Sequence, residues 1–186
     1  MRIGSVLVDG VPSDDAAIPV DDVAAQRGYG CFETIRSYGG APFRLDRHLA
    51  RLRSSAEKLG MTLPKEDDLT AWVEERAAEG DCTVRLIVTG GTDLDHPGTG
   101  SRTLVFAETL ASLPTGLRLL PVVAPWHPDG AWSGLTGAKT LSYAPNMEAR
   151  LAALRSGFDD ALLIGRSGSV LEGPSSSIAW VRSNWS

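Results

Sequence analysis

The spacing of apolar positions changes several times along this chain of 186 residues, and each change marks an element. Residues 3 to 9 predict a strand that leads into a Gly-Val-Pro-Ser turn. From Arg44 onward, Leu45, Leu49, Leu52, Ala56 and Leu59 recur at intervals of four and three, one face of a helix that Gly60 stops. His48, Arg51 and Ser55 fall on a neighbouring stripe, so the helix can bury its leucines and point these three elsewhere. A second helix is predicted from Asp68 to Ala78, with Leu69, Trp72, Val73 and Ala77 inward and Gly80 at its end. Strands follow at 82 to 89 and 102 to 108, joined by a loop rich in Gly and Asp. Beyond a crossing at 109 to 116 come a strand at 117 to 124, a long loop at 125 to 138 and a helix at 146 to 156 closed by Gly157. Asp160 to Ile164, a turn at Gly165 to Gly168, and Val170 to Glu172 predict a hairpin, and Ile178 to Val181 a last strand.

Composition narrows the class. With 42% hydrophobic residues the chain can bury a core, and a formal charge of −5 with mixed signs offers no basic stripe for a phosphate backbone, so nucleic acid is not an expected partner. The early Asp9 interrupts any leader-like apolar run, and no later run reaches membrane-spanning length; a cytoplasmic location is the expectation. Cys31 and Cys82 lack disulfide or zinc spacing and are expected in the core; no metal site is expected.

Positive charge is carried by fifteen Arg against three Lys, and of these only Lys139 stands among small and apolar residues, in Gly-Ala-Lys-Thr-Leu-Ser-Tyr. Partial desolvation disfavours an ammonium and leaves a nucleophilic amine suited to a Schiff base. Downstream, Glu172 precedes Gly173-Pro174-Ser175-Ser176-Ser177, a carboxylate for a pyridinium nitrogen and a turn for a phosphate. With Arg51 as phosphate cation, the implied cofactor is pyridoxal phosphate. Taken singly, each piece also fits an ordinary role: Lys139 a solvated loop charge, Glu172 an exposed strand residue, the serines a polar turn, Arg51 a partner of Glu57, and His48 a histidine of the helix surface. Gly28 and Gly30 make no dinucleotide fingerprint, and the serines near Gly168 make no nucleophile elbow.

Arg27-Gly-Tyr-Gly-Cys-Phe-Glu-Thr-Ile-Arg36, Arg47-His-Leu-Ala-Arg-Leu52, Gly137-Ala-Lys-Thr-Leu-Ser-Tyr-Ala-Pro-Asn-Met147 and Gly168-Ser-Val-Leu-Glu-Gly173 occur in an order that resembles the class IV pyridoxal-phosphate enzymes: branched-chain aminotransferases, D-amino-acid aminotransferases and aminodeoxychorismate lyase. The resemblance implies an α+β, two-domain fold of the D-amino-acid aminotransferase type. Its expected divisions are a small N-terminal domain at 1–108, a linker at 109–116 and a partial C-terminal cofactor-binding domain at 117–186. It implies Lys139 as Schiff-base lysine, Glu172 at the pyridine nitrogen, and Arg51, Ser175 and Ser176 at the phosphate, with Arg85 a candidate for a substrate carboxylate or for an ordinary salt bridge. The motif wording is more similar to the lyase-like members. That implies conversion of 4-amino-4-deoxychorismate to 4-aminobenzoate and pyruvate, with transamination of branched-chain or D-amino acids as the alternative and a homodimer as the assembly. Three departures stand out: Ser177 and Ala179 replace an Asn and an aromatic, Thr89-Gly90-Gly91 stands where many relatives place an arginine, and the chain stops at Ser186. The last leads to the expectation of a truncated second domain and, as a further alternative, a non-catalytic fragment.

Overall fold

In the computed structural model, residues 1–112, 114–127 and 134–181 are described. Position 113 of the expected linker, positions 128–133 of the long loop, and the chain end 182–186 lie outside the described residues. The chain divides into two compact units, Met1–Ser112 with Gly137–Ser142, and Leu113–Thr136 with Tyr143–Ser186.

The first unit is built on a six-stranded antiparallel sheet. In chain order its elements are β1 (Arg2–Val8), β2 (Val11–Ser13), α1 (Val23–Arg27), β3 (Gly30–Tyr38), β4 (Ala41–Pro42), α2 (Leu45–Lys58), α3 (Glu66–Ala77), β5 (Cys82–Thr89) and β6 (Thr103–Glu108). The sheet order is β2-β1-β6-β5-β3-β4. Alternation along β3 puts Cys31, Glu33, Ile35 and Ser37 on the covered face and Phe32, Thr34 and Arg36 on the other. Leu49, Leu52 and Ala56 of α2 and Leu69, Val73 and Ala77 of α3 pack with Cys31, Ile35, Val84, Leu86, Val105 and Ala107 into one core. The leucine spacing thus forms the predicted helix, and its apolar face is the one buried. Each fully buried leucine contributes about 2 kcal/mol relative to exposure, so this stripe outweighs the weak intrinsic preference of a single helix for its folded form. Both cysteines are fully buried and unbridged. Helix α1 was not foreseen; it is one turn long, with Asp22 capping it through Ala24 N–H at 2.7 Å and Gly28 closing it in the left-handed region.

The second unit is a βαβ arrangement of β7 (Leu119–Val123), α4 (Ala144–Arg155) and β8 (Asp160–Ile164), with β7 and β8 parallel. Ala149 and Ala153 of α4 pack on Ala124, Ala161 and Leu163. Helix α4 starts at Ala144, two residues before the expected start, because proline is tolerated in a first turn where no amide partner is needed. The expected return after β8 forms: Ile164 bridges Val170, Leu171 donates to Leu163 O at 2.9 Å, and Leu163 donates to Glu172 O at 2.8 Å. The expected strand at 178–181 does not form: those residues pair with no ladder among the described residues, and Trp180 and Val181 are exposed. β-prone residues become a strand only when they pair with a neighbour, and among the described residues 178–181 have no such pairing.

Candidate active site

The first set of candidate residues begins with a strand position that alternation assigns to the core. Glu33 lies between Cys31 and Ile35 on the covered face and is fully buried. A buried carboxylate needs cationic partners, and the stripe of α2 beside the leucines supplies them. His48 Nδ1 is 2.7 Å from Glu33 Oε2, while Arg51 donates Nε to Oε1 at 2.7 Å and Nη2 to Oε2 at 2.5 Å, a two-pronged pairing. Burial pushes the Glu33 carboxyl up, but the hydrogen bonds and charges of Arg51 and His48 outweigh it and hold it below its ordinary range. The assignment of His48 to the helix surface is therefore corrected: its side chain is 19% exposed and faces the sheet. Arg51 pairs with Glu33 instead of Glu57, and its side chain remains half exposed, at 48%. Burial of the neighbouring Cys31 thiol, helped by the Glu33 charge, pushes it up to about 12.

One turn further along α2, Ser55 joins this cluster to Lys139. The buried Ser55 hydroxyl donates to Arg51 O at 2.8 Å and accepts from the Lys139 N–H at 3.0 Å. The segment around Lys139 runs antiparallel along β3, on the edge that later carries β4: Phe32 N–H donates to Lys139 O at 3.2 Å, Leu141 N–H donates to Gly30 O at 2.9 Å, and Cys31 bridges Thr140. Ser142 Oγ adds a bond to Gly28 O at 2.9 Å. Gly30 is required here. A Cβ at this position would stand 2.5 Å from Val88 O and 2.7 Å from Leu141 Cδ1, closer than side chains approach. The pairing sets Lys139 opposite Phe32, and the Lys139 ammonium lies 4.3 Å from the centre of the Phe32 ring, a cation–π contact.

Arg85 occupies the same open face of the sheet, one register step away, opposite Thr34. It donates Nε to Glu108 Oε2 at 2.8 Å and Nη1 to Thr34 Oγ1 at 3.0 Å, which is the salt bridge considered for it.

Glu172, Ser175 and Ser176 belong to the second unit. Glu172 Oε1 is 3.1 Å from His127 Nε2, a partner that sequence spacing did not announce. Behind it, Gly173 N–H donates to Ser176 O at 2.8 Å, closing a turn so tight that a Cβ on Gly173 would meet Ser176 Oγ at 2.3 Å. Ser175 and Ser176 are exposed on this turn. Asn146 braces it, accepting from Trp126 Nε1 at 2.9 Å and donating to Pro174 O at 3.3 Å. Lys139, Arg51 and Arg85 are thus gathered on the first unit, and Glu172, Ser175 and Ser176 on the second. Reasoning from sequence missed Glu33 and His127. Glu33 had a signal: an acid at a core position of an alternating strand, facing a His-x-x-Arg stripe. Among the described residues there is no metal-ligand cluster and no helix long and apolar enough to cross a membrane.

The family model for amino-transferase class IV matches residues 30–185. A bifunctional aminodeoxychorismate lyase / D-amino acid transaminase of Mycobacterium tuberculosis is 31% identical over 94% of this chain, and the chain spans 63% of that protein's length. Among solved structures, a fold IV transaminase from Curtobacterium pusillum matches with a TM-score of 0.82 at 28% identity, over 91% of this chain and 67% of that one. A hypothetical aminotransferase from Mycobacterium tuberculosis in a PLP-bound form matches at 0.78 and 27%, over 92% and 65%.

Proposed function

Because the chain belongs to the amino-transferase class IV family, we propose that it binds pyridoxal phosphate at Lys139 and acts on 4-amino-4-deoxychorismate as a carbon–carbon lyase, releasing pyruvate and 4-aminobenzoate. The observation that carries this reading is the seating of Lys139: its backbone is held by β3 and Ser55, and its amine projects over Phe32 on a frame shared with Arg51. A reactive lysine needs a fixed backbone, and this one has it.

The donor set suits the cofactor: a primary amine, a half-exposed arginine side chain, a carboxylate, and a close Gly-Pro-Ser-Ser turn in which a Cβ at Gly173 would have no room. Pyridoxal phosphate, when bound, supplies an aldehyde for the amine and a ring that withdraws electrons from the substrate. Lys139 would anchor the cofactor and, with its amine free, would accept and return a proton at Nζ. Arg51 would hold the phosphate with Ser175 and Ser176. Glu172 would favour protonation of the ring nitrogen, and His127, 3.1 Å away, orients that carboxylate. Arg85 would meet a substrate carboxylate on the open face of the sheet in addition to its pairing with Glu108 and Thr34. The working assembly is a homodimer, and light scattering checks it: a monomer at assay concentration contradicts this part.

The second reading, transamination of D-amino acids, is favoured by the Mycobacterium tuberculosis relative, whose name carries both activities. The two separate on one assay. A lyase releases pyruvate with no keto-acid acceptor present; a transaminase turns over only when an acceptor is added. Attachment is tested first. Mixing with pyridoxal phosphate yields a visible absorption band, and borohydride reduction followed by peptide mapping puts the label on Lys139. Label on Lys58 or Lys65, or no label, overturns the assignment.

A further inference from the structure

Resting on that reading, we propose that Glu33 is a positioning residue for the cofactor's phosphate: it fixes the Arg51 guanidinium in a phosphate-ready orientation before the cofactor arrives. Three observations on one stretch of α2 and β3 carry this. Glu33 is fully buried and spends both oxygens on Arg51, through Nε and Nη2, with His48 sharing Oε2. The Arg51 side chain is half exposed, so the pairing with Glu33 holds it without burying it. The backbone of the same residue is bonded, through Ser55, to the amide of Lys139, so the frame that aims the guanidinium also sets the amine.

Arginine is long, and an unheld guanidinium samples many rotamers; ordering it at the moment of binding lowers affinity, whereas a carboxylate that orders it in advance removes that loss. Because Arg donors are laid out in a rigid fork, occupying Nε and one Nη leaves the group's orientation defined in its plane. A second effect opposes the first. The Glu33 charge repels a phosphate, but it is offset by the Arg51 guanidinium and the His48 ring bonded to it, so positioning prevails. The two effects predict opposite signs when the charge is removed, which makes the direction of change decisive.

The experiment compares dissociation constants of pyridoxal phosphate and of pyridoxal, which lacks the phosphate, by absorbance titration of the whole chain. In Glu33→Gln, pyridoxal phosphate should bind at least tenfold more weakly and pyridoxal within about twofold of the unsubstituted protein. In Arg51→Lys, which keeps the charge and loses the fork, the same loss appears, and adding Glu33→Gln to it changes the constant by less than twofold. An unchanged or increased preference for the phosphorylated form in Glu33→Gln overturns the proposal, as does an equal weakening of both ligands, which marks a folding role only. Should Gln at this buried position unfold the protein, Glu33→Asp, shorter by one methylene, reads out through the same ratio. An unsubstituted protein that does not prefer pyridoxal phosphate over pyridoxal instead refutes the cofactor assignment, and the proposal with it.

Discussion

Ser55→Ala removes a hydroxyl that joins two chain segments far apart in sequence. Ser55 is fully buried, donates to Arg51 O and accepts from Lys139 N–H at 3.0 Å. Arg51 O sits within the helical ladder of α2, so losing the serine donor leaves that carbonyl satisfied. The Lys139 amide loses the Ser55 acceptor. An unsatisfied donor of this kind costs about 1–3 kcal/mol, which for a unit of this size lowers the melting temperature by roughly 4–10 °C. The local signature is sharper. Amide hydrogen exchange at Lys139 should accelerate by one to two orders of magnitude in Ser55→Ala, following from about 1.4 kcal/mol per tenfold, while the Leu141 amide, still bonded to Gly30 O at 2.9 Å, changes much less. Capture of pyridoxal phosphate at Lys139 slows in parallel. A variant that melts within a degree of the parent and keeps slow exchange at Lys139 would refute the reasoning, because Ser55 would then not be holding the segment.

Gly30→Ala should disrupt the same segment from the other side, since the added Cβ meets Val88 O and Leu141 Cδ1; loss of both the melting transition's cooperativity and cofactor capture is expected, and a protein that melts and captures cofactor normally would contradict it. Thiol titration at pH 8 should find neither cysteine reactive in the native protein, since both are buried and the Cys31 thiol is pushed up to about 12, and both reactive in denaturant; rapid labelling of the native protein would be the contrary result. The Glu33 carboxyl is held below its ordinary range, so its contribution to stability is complete above the unfolded value of about 4.3 and fades as pH falls through the folded one. Urea unfolding at pH 7, 5 and 3.5 should accordingly show the advantage over Glu33→Gln shrinking at the lowest pH; a constant difference would remove Glu33 from the acid response.

The frame of the first unit was legible because its signals are local. Leucine spacing announced α2, strand patterns announced β5 and β6, and His48, Arg51 and Ser55 were placed on a stripe beside the leucines, although His48 was expected at the helix surface. Other features were not local. Lys139 to Leu141 become extended only by pairing with Gly30 to Phe32, a partner far away in the chain, so no window of neighbouring residues contains the information. Counting apolar positions also passes over Glu33, which occupies a core site as a charge whose partners come from another element. The reverse error occurred at Ile178 to Val181, where β-branched and aromatic residues suggested a strand and no edge received it. Helix α1 is a single capped turn, too short for any period to register.

The ion pair inside the first unit also constrains how such a protein can change over generations. Discarding Arg51 would leave a carboxylate that no solvent reaches with His48 as its remaining partner, and breaking a buried ion pair typically destabilises by about 3–5 kcal/mol, a large share of what keeps an average domain folded. A descendant that no longer needed its cofactor would therefore tend to keep the arginine for the sake of its architecture, or would have to replace Glu33 first. Retention of this residue in a distant homologue is consequently weak testimony of activity, and Lys139, whose amine lies over the Phe32 ring, is the better witness.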